Sequence, residues 1–387
     1  MPDTNKPTIP FVVLYDVKMH KTPIIMDLPV KQIQPQNIEQ WLPARHKPLL
    51  ISGPCSAESR EQVLTTAAQL QATGLVSAFR AGVWKPRTRP SSFEGHGKTA
   101  LEWLKEVKET YGFPLAVEVA TPAHVEACLE AGIDILWVGA RTSVNPFSVQ
   151  ELAEALRGVD IPVMVKNPLN PDLALWMGVL ERFYMSGITK LAAIHRGFNT
   201  YEKSRFRNEP LWNIPIELKS SFPELPLICD PSHIAGKRNL IAEVARQALL
   251  LDMNGLMIES HHMPSEALTD AAQQLKPVDL QTIFSKLTVP ESAEENPCLE
   301  LEILRKRIDE FDNQLIGILS KRMHVVEEIA RLKSDCKMTI LQVRRWNTII
   351  RTRMEMGKEK GLDEKFLKNL LDLIHKESID LQSRIMK

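Results

Sequence analysis

The chain has 387 residues, which is enough for more than one domain with a full hydrophobic core. Its 48 lysines and arginines balance its 48 aspartates and glutamates, which argues against nucleic acid or a membrane as a partner. The five cysteines form no CxxC pair, and no apolar run approaches roughly 18 residues. These features predict a soluble protein of a reducing compartment, the cytoplasm, in which any anion site is a local concentration of charge.

Residues 1–48 are rich in proline and polar residues and are predicted to be an extension that packs against the next domain or a partner. Apolar segments then alternate with stretches long enough for helices, such as 61–72, 123–131 and 241–251. The predicted strands are 49–52, 76–80, 115–119, 133–138, 162–165, 190–194, 226–229 and 255–258. This repetition predicts an α/β fold, a closed parallel (β/α)8 TIM barrel over 49–285. An open doubly wound sheet is the alternative, but no glycine-rich fingerprint follows the first strand.

A cationic segment follows the second predicted strand. Residues 80–90 read Arg-Ala-Gly-Val-Trp-Lys-Pro-Arg-Thr-Arg-Pro, and prolines flank Arg87 and Arg89. Prolines at these positions exclude a plain solvated helix. Because a cationic loop at the end of a buried strand suits multivalent anions, the segment is predicted to bind phosphate. A charged surface turn is the alternative.

The ends of the other predicted strands are also polar. Arg141, Lys166 and Arg196 each follow a strand, as Arg80 and Lys85 do. Active sites of parallel barrels lie at this end of the strands, so these cations and Arg87 are predicted to hold two separate anionic groups. The remaining polar residues at strand ends are Glu118, His195 and Asp230.

A second set of side chains at the strand ends has the types that bind a divalent transition metal. It comprises Cys55, His233, Glu259 and Asp270, which combine sulfur, nitrogen and oxygen donors. Their spacing is not that of a zinc finger, so the prediction depends on the barrel. As alternatives, Cys55 and His233 are ordinary buried residues, and the two carboxylates pair with the cations.

Several of these segments resemble motifs of 3-deoxy-D-arabino-heptulosonate 7-phosphate (DAHP) synthase, type I beta branch, over about residues 45–285. They are Gly53-Pro54-Cys55-Ser56, Lys85-Pro86-Arg87-Thr88, Gly139-Ala140-Arg141, Asp230-Pro231-Ser232-His233 and the segment around Glu259. The resemblance implies condensation of phosphoenolpyruvate with D-erythrose 4-phosphate to DAHP and phosphate. That reaction is the first step of the shikimate pathway.

The resemblance also implies roles for individual residues. Cys55, His233, Glu259 and Asp270 correspond to ligands of a divalent ion of the Mn, Fe, Co or Zn class. Arg80, Lys85, Arg141, Lys166 and Arg196 correspond to phosphoenolpyruvate contacts, and Arg87 and Thr88 to erythrose 4-phosphate contacts. Lys85 is predicted to be catalytic, as a charge clamp or as a proton donor, and the sequence leaves both roles open.

Beyond residue 285 the pattern changes to helices alone. Residues 286–298 are predicted to be a linker, because 290–297 are acidic and lack apolar anchors. From 299 to about 334, apolar residues recur at helical spacing without proline, which predicts a helix roughly 50 Å long. A unit of about 90 residues cannot cover that length by folding back once, so an intertwined homodimer is predicted. Two further helices are predicted at about 342–357 and 363–386.

Polar side chains recur at matching positions of these helices. Arg322 and Lys333 share one face of the first helix, whereas Arg305 points away from it and is predicted to enter the partner's site. The second and third helices contribute Gln342, Arg345, Trp346, Ser378 and Gln382. The alternative is that these are solvated side chains on helices rich in lysine and arginine.

This set resembles the all-helical chorismate mutase family across nearly all of 299–387. Residues 304–309 read Leu-Arg-Lys-Arg-Ile-Asp, and family positions are also filled by Arg322, Lys333, Arg345, Ser378 and Gln382. The resemblance implies rearrangement of chorismate to prephenate, with arginines on two carboxylates and with Lys333 and Gln382 on the ether oxygen. Gln342 and Trp346 stand where many family members have acidic residues that help to recognise the substrate hydroxyl.

The sequence therefore predicts a bifunctional enzyme that joins the two reactions. One alternative makes the helical part a regulatory module that senses chorismate or prephenate and controls the synthase. Another makes it a dimerisation device only. The sequence predicts a homodimer through the helical part and leaves a higher assembly open.

Overall fold

The computed structural model describes residues 33–85, 92–201, 204–287 and 299–386. The chain divides into two compact units, 1–290 and 291–387, and each is described by itself. Arg87 and Thr88, most of the predicted extension and residues 288–298 of the predicted linker lie outside the described residues. None of the described helices is long and apolar enough to cross a membrane.

The first unit is a closed barrel of parallel strands, in which each strand pairs with the next and the last pairs with the first. The strands are β1 Leu49–Gly53, β2 Ala78–Ala81, β3 Leu115–Val119, β4 Ile135–Val138, β5 Val163–Lys166, β6 Leu191–His195, β7 Leu227–Cys229 and β8 Gly255–Glu259. The barrel closes with Leu49 opposite Gly255 and Gly53 opposite Glu259. The predicted (β/α)8 barrel is confirmed, and each strand end lies within two residues of its predicted position.

Helices surround the barrel, and six of them begin at a side chain that caps the first turn. The capping residues are Asn37, Ser59, Thr121, Asn145, Asp172 and Asp230. The helices are α1 Ile38–Trp41, α2 Arg60–Thr73, α3 Lys98–Tyr111, α4 Pro122–Glu130, α5 Pro146–Ala155, α6 Leu173–Met185, α7 Asn213–Ser221, α8 Pro231–Ala235, α9 Arg238–Leu250 and α10 Pro277–Phe284. A 3₁₀ turn, Pro264–Glu266, lies in the loop after β8.

Strand alternation divides the apolar core of the barrel into two layers. Val163 and Val165 of β5 belong to the layer between strands and helices, whereas Met164 belongs to the layer inside the barrel. Ile38 and Leu42 join the inner layer. Successive inward positions thus change from apolar to charged along a strand, which places Lys166 two residues after Met164 on the same face.

The second unit consists of α11 Leu299–Asp335, α12 Val343–Glu359 and α13 Glu364–Ile385. α13 packs against both α11 and α12. Few side chains of this unit are buried, and large apolar side chains of α11 remain exposed within one chain, among them Ile308, Phe311, Leu315 and Ile318. A single chain therefore leaves the apolar face of its longest helix largely uncovered.

Gly53 ends β1 at a point where β2 approaches closely. A Cβ at this position would overlap the carbonyl oxygen of Arg80. Gly53→Ala is therefore expected to lower the free energy of unfolding of the barrel by about 2 kcal/mol or more, because β2 would have to shift. Urea denaturation followed by tryptophan fluorescence measures this change, since Trp137 and Trp176 are fully buried in the barrel.

Gly178 of α6 is the matched control for this substitution. No heavy atom lies within 4 Å of a Cβ built there. Gly178→Ala is expected to leave the free energy of unfolding unchanged or to raise it by about 0.5–1 kcal/mol. Equal stabilities of the two variants would contradict the close approach of β1 and β2.

Candidate active sites

A polar pocket lies at the carboxyl ends of the barrel strands. Its lining includes Lys85, Glu118, Arg141, Lys166, Arg196, Arg207, Asn208, His233 and Asp270. Strand ends supply Glu118 and Lys166, and the remaining side chains come from the loops and the short helix that follow the strands. The position is the one at which parallel barrels place their active sites.

Three of the four predicted metal ligands bring one donor atom each within 4.8 Å of one another, namely Cys55, Glu259 and Asp270. Cys55 Sγ lies 3.4 Å from Asp270 Oδ2. The fourth, His233, has its Nε2 3.7 Å from Glu259 Oε1 and 3.9 Å from Asp270 Oδ2. The structure therefore brings a thiol, an imidazole and two carboxylates together from three regions of the chain.

Glu259 is fully buried, as Cys55 is, and its carboxylate tests the fit of a metal most directly. Its Oε1 is buried and has no hydrogen-bond partner among the described residues, and Arg80 Nη2 lies 3.4 Å away. The Glu259 backbone N–H donates to Ser232 Oγ at 2.9 Å, so the Asp-Pro-Ser-His motif positions it. An unpaired carboxylate oxygen beside these donors fits the ligand set of a divalent transition metal.

Burial and charge shift the pKa values of the ligand candidates in opposite directions. Burial, and then the Glu259 carboxylate, raise the pKa of the Cys55 thiol to about 12. Burial alone would raise the pKa of Glu259, but His233 and Arg80 outweigh it and lower that pKa. Burial likewise opposes ionisation of Asp270, yet His233 and Arg207 lower its pKa. A bound divalent cation would favour the Cys55 thiolate against both carboxylates.

Asp230 connects the four candidate metal ligands Cys55, His233, Glu259 and Asp270, called the ligand group below, to the cations of the pocket. Its Oδ2 lies 2.7 Å from Lys166 Nζ and 2.8 Å from His233 Nδ1, the latter without the alignment of a hydrogen bond. Burial would raise the pKa of Asp230, but His233 and Lys166 hold it well below the usual range. Because its carboxylate faces Nδ1, Nε2 is the His233 nitrogen that remains for a metal.

The predicted substrate cations lie at two depths. Lys85, Arg141, Lys166 and Arg196 line the pocket. Arg80 is buried and stacks 4.8 Å from the Trp137 ring, and its Nε and Nη1 have no hydrogen-bond partner among the described residues. Burial lowers the pKa of Arg196 to about 10, so Arg196 remains charged at neutral pH.

Lys85 lines the anion pocket and also contacts the ligand group. Its Nζ donates to the Cys55 carbonyl oxygen at 2.9 Å and to Cys55 Sγ at 3.1 Å. Burial would lower the pKa of Lys85, but neighbouring negative charges, including Glu118 and Glu259, raise it. Lys85 is therefore a cation at neutral pH, at the boundary between the ligand group and the anion pocket.

Among the residues that line the pocket although the sequence assigned them no role are Glu118, Arg207 and Asn208. Glu118 Oε2 accepts a hydrogen bond from Trp137 Nε1 at 3.1 Å, and Asn208 Oδ1 accepts one from Arg196 Nη1 at 2.7 Å. The position of Glu118 at the end of a predicted strand was sufficient to place it near the pocket. Arg207 and Asn208 lie more than ten residues beyond β6, so no local pattern pointed to them.

In the helical unit, two of the predicted cations contact α13. Arg322 Nη1 donates to Ser378 Oγ at 2.7 Å, and Lys333 Nζ donates to Gln382 Oε1 at 3.0 Å. Burial lowers the pKa values of Arg322 and Lys333. Ser378 and Gln382 are buried one turn apart on α13, and Gln382 Nε2 donates to the Ser378 carbonyl oxygen at 3.0 Å, which links the two pairs.

The other predicted residues of this unit are arranged differently. Arg305 pairs with Glu302 on its own helix at 2.5 Å and lies 17 residues, roughly 25 Å, before Arg322. Arg345 is exposed on α12, and Gln342 is the residue that precedes this helix. The Trp346 ring stacks on His375 of α13 with centroids 3.6 Å apart. Within one chain, Arg305 is therefore too distant to join Arg322 and Lys333.

Both units match known families. Residues 34–292 match the DAHP synthetase I family, and residues 304–383 match chorismate mutase type II. Both are families of enzymes. The two matches confirm the predicted resemblance and its order along the chain.

Individual relatives resemble the barrel. A phospho-2-dehydro-3-deoxyheptonate aldolase of Thermotoga maritima is 34% identical over 226 residues, 58% of this chain. The match spans 64% of that relative, which is less than two thirds of its length. A 2-dehydro-3-deoxyphosphooctonate aldolase of a Synechococcus species is 26% identical over 256 residues, 62% of this chain and 88% of that protein.

Solved structures agree with these matches. The crystal structure of phospho-2-dehydro-3-deoxyheptonate aldolase (DAHP synthase) from Thermotoga maritima superposes with a TM-score of 0.56 and 30% identity. The match covers 62% of this chain and 67% of that chain. A truncated 3-deoxy-D-arabino-heptulosonate 7-phosphate synthase from the same organism gives a TM-score of 0.54 at 28% identity, over 62% and 84% of the two chains.

Asp230→Asn keeps the shape of this side chain and removes the charge between Lys166 and His233. The pKa of Asp230 is lower in the folded protein than in the unfolded chain, where it is about 4. The ionised carboxylate therefore stabilises the fold above about pH 4, and this stabilisation is lost as the pH falls toward the folded-state pKa. The variant is expected to be less stable than the unmodified protein by about 3 kcal/mol or more at pH 7. Urea denaturation should show this difference shrinking between about pH 5 and pH 3.

Asp160→Asn is the control for that measurement. Asp160 pairs with Lys190 at 2.6 Å, but its side chain is 81% exposed. Its loss is expected to cost at most about 1 kcal/mol. The account of the buried Asp230–Lys166 pair would be contradicted by either of two results. One is an equal loss in the free energy of unfolding for the two variants, and the other is a loss for Asp230→Asn that does not change with pH.

Proposed function

The chain belongs to the DAHP synthetase I family through residues 34–292, and we propose that its barrel condenses phosphoenolpyruvate with D-erythrose 4-phosphate to DAHP and phosphate. The helical unit rearranges chorismate to prephenate. The observation that carries the first proposal is the meeting of the four predicted substrate cations of the pocket with a thiol, an imidazole and two carboxylates at one end of the barrel.

The pocket cations suit two substrates that repel each other. Phosphoenolpyruvate carries a phosphate and a carboxylate, which Arg141, Lys166 and Arg196 bind together with the unpaired donors of Arg80. Arginine grips such groups with two parallel hydrogen bonds. Fixed positive charge then offsets the repulsion between the two phosphates and holds the reacting carbons close together.

In this proposal, Cys55, His233, Glu259 and Asp270 would hold a divalent ion of the Mn, Fe, Co or Zn class. When bound, that ion supplies Lewis-acid polarisation of the aldehyde of erythrose 4-phosphate. Lys85 Nζ, 3.1 Å from Cys55 Sγ, is positioned to clamp substrate charge or to protonate the aldehyde oxygen. Arg87 and Thr88 contact the erythrose 4-phosphate phosphate, and their own geometry lies outside the described residues.

In the helical unit, Arg322 and Arg345 bind the substrate carboxylates. Lys333 and Gln382 stabilise the charge that develops on the ether oxygen. Ser378 orients Arg322 through their hydrogen bond, and Gln342 faces the substrate hydroxyl. The reaction is pericyclic, so binding and electrostatic stabilisation are sufficient and no nucleophile is needed.

A second copy of the chain completes this site. The exposed fractions of Ile308, Phe311 and Ile318 on α11 lie between 57% and 63% in one chain, and an apolar face of this kind typically marks an interface. We propose a homodimer in which this face is covered and Arg305 enters the partner's site. The described cysteines are free thiols, which supports a reducing compartment such as the cytoplasm.

The alternative function is a helical module that binds chorismate or prephenate and regulates the barrel without useful turnover. A specific observation favours it: the Trp346 ring stacks on His375, whereas many family members have at position 346 an acidic residue that helps to recognise the substrate hydroxyl. The two functions differ in a measurable way, since only the mutase consumes chorismate.

Exhaustive chelation is expected to abolish the condensation and to spare the rearrangement, because only the barrel holds metal-ligand groups among the described residues. The loss of phosphoenolpyruvate and of chorismate absorbance can be followed on the same full-length sample. Condensation that persists without metal would contradict the metal site. Chorismate that binds but is not consumed, with or without chelator, would favour the sensor.

Mixing full-length Arg305→Ala chains with Lys333→Ala chains tests the exchange of Arg305 between protomers. Each variant alone is expected to be inactive as a mutase. In a random mixture half of the dimers are mixed and each has one intact site, so about one quarter of the unmodified activity should return. No recovery after verified subunit exchange would place Arg305 outside the partner's site.

A further inference from the structure

Two adjacent glutamines, Gln273 and Gln274, are buried in the loop that carries Asp270, with exposed fractions of 1% and 0%. A buried amide needs partners for both its oxygen and its NH₂ group. Here each amide has a different set of partners, and both sets lead to the metal-ligand candidates.

Gln273 bridges the two carboxylates of the ligand group. Its Nε2 donates to Glu259 Oε2 at 2.8 Å, and its Oε1 accepts from Arg207 Nη1 at 2.7 Å. The same Arg207 nitrogen donates to Asp270 Oδ1 at 2.9 Å. A continuous chain of hydrogen bonds therefore runs from Glu259 through Gln273 and Arg207 to Asp270.

These bonds determine which carboxylate oxygens remain to face the thiol and the imidazole. With Oε2 bonded to Gln273, Glu259 keeps Oε1, which has no hydrogen-bond partner among the described residues and lies 3.7 Å from His233 Nε2. With Oδ1 bonded to Arg207, Asp270 keeps Oδ2, 3.4 Å from Cys55 Sγ. One oxygen of each carboxylate is thus left beside the thiol and the imidazole.

The chemistry of the neighbours fixes the orientation of the Gln273 amide. An ionised Glu259 can only accept hydrogen bonds, and the Arg207 guanidinium can only donate them. The NH₂ group must therefore face Glu259 and the oxygen must face Arg207. A flipped amide would lose both bonds.

The backbone of the same loop is anchored at the third ligand candidate. Gln274 Oε1 accepts from the Cys55 backbone N–H at 3.0 Å, and its Nε2 donates to the Thr269 carbonyl oxygen at 2.8 Å. Asp270 has a φ of +49°, a left-handed conformation that a non-glycine residue adopts only when its surroundings hold it there. The Gln273 backbone N–H donates to the Asp270 carbonyl oxygen at 3.1 Å and closes the turn.

We propose that Gln273 is a positioning residue of the metal group, which restricts Glu259 to ligation through Oε1 and, through Arg207, Asp270 to ligation through Oδ2. The inference rests on the proposed function, because it concerns the same site. Gln273 acts through the two carboxylates and is not itself a ligand. Partners of this kind typically change metal affinity about 10- to 100-fold when they are removed.

Full-length Gln273→Met keeps the approximate side-chain volume and removes both hydrogen bonds. Its dissociation constant for Mn²⁺ is expected to rise about 10- to 100-fold, measured on metal-free protein by electron paramagnetic resonance of free Mn²⁺. The Co²⁺ derivative should show changed d–d absorption bands, because Glu259 would be free to bind through both oxygens. Arg207→Lys, at a half-exposed position, keeps the charge but not the bridging geometry and should weaken Mn²⁺ binding in the same direction.

Gln62→Met is the control, because Gln62 is also a buried glutamine, and among the described residues its amide bonds only to the backbone of Ser56 and Glu58. It is expected to lose stability in urea but to keep the Mn²⁺ affinity of the unmodified protein. Unchanged Mn²⁺ affinity in Gln273→Met and Arg207→Lys, or an equal loss in Gln62→Met, would overturn the inference and leave the proposed function intact. Failure of the unmodified protein to bind Mn²⁺ would overturn the proposed function itself.

Discussion

Four charged side chains that are almost fully buried meet at the carboxyl ends of the barrel strands: Arg80, Lys166, Asp230 and Glu259. Each such charge costs several kcal/mol to remove from water, so it persists in a fold only with a partner of opposite sign. The pairs are Lys166 with Asp230 at 2.7 Å and Arg80 with Glu259 at 3.4 Å. Their net charge is zero, and the rest of the site is built around them.

Each pair connects the cations that are proposed to bind substrate with the residues that are proposed to bind the metal. Asp230 contacts Lys166, which lines the anion pocket, and also His233, which belongs to the ligand group. Arg80 contacts Glu259 and the Cys55 carbonyl oxygen, and its Nε and Nη1 have no hydrogen-bond partner within the described part of the chain. A change in the ligand group therefore alters the charge around the anion pocket. In the proposed function, this coupling would let one small region hold the metal and the two phosphorylated substrates.

The sequence predicts the barrel and much of this site for a common physical reason. A cation such as Lys166 directly after a buried apolar strand is costly unless it has a function, so it stands out. The same reasoning does not distinguish adjacent residues of one strand end. His195 and Arg196 both lie at the end of β6, but adjacent side chains of a strand face opposite sides, and only Arg196 lines the pocket. His195 packs among Trp176, Phe198 and Trp212, where burial lowers its pKa to about 3. The role of Arg207 depends on contacts with Asp270 and Gln273, which lie 63 and 66 residues away, and no local pattern reveals them.

Diffraction from crystals grown with Mn²⁺ and phosphoenolpyruvate, with anomalous data for manganese, tests the central claim most directly. The account predicts one strong anomalous peak bonded to Cys55 Sγ, His233 Nε2, Glu259 Oε1 and Asp270 Oδ2, at about 2.0–2.5 Å. It also predicts that the phosphate and carboxylate of phosphoenolpyruvate contact the pocket cations within a few ångströms of that peak. A manganese peak away from these four atoms, or phosphoenolpyruvate bound outside the pocket, would contradict it.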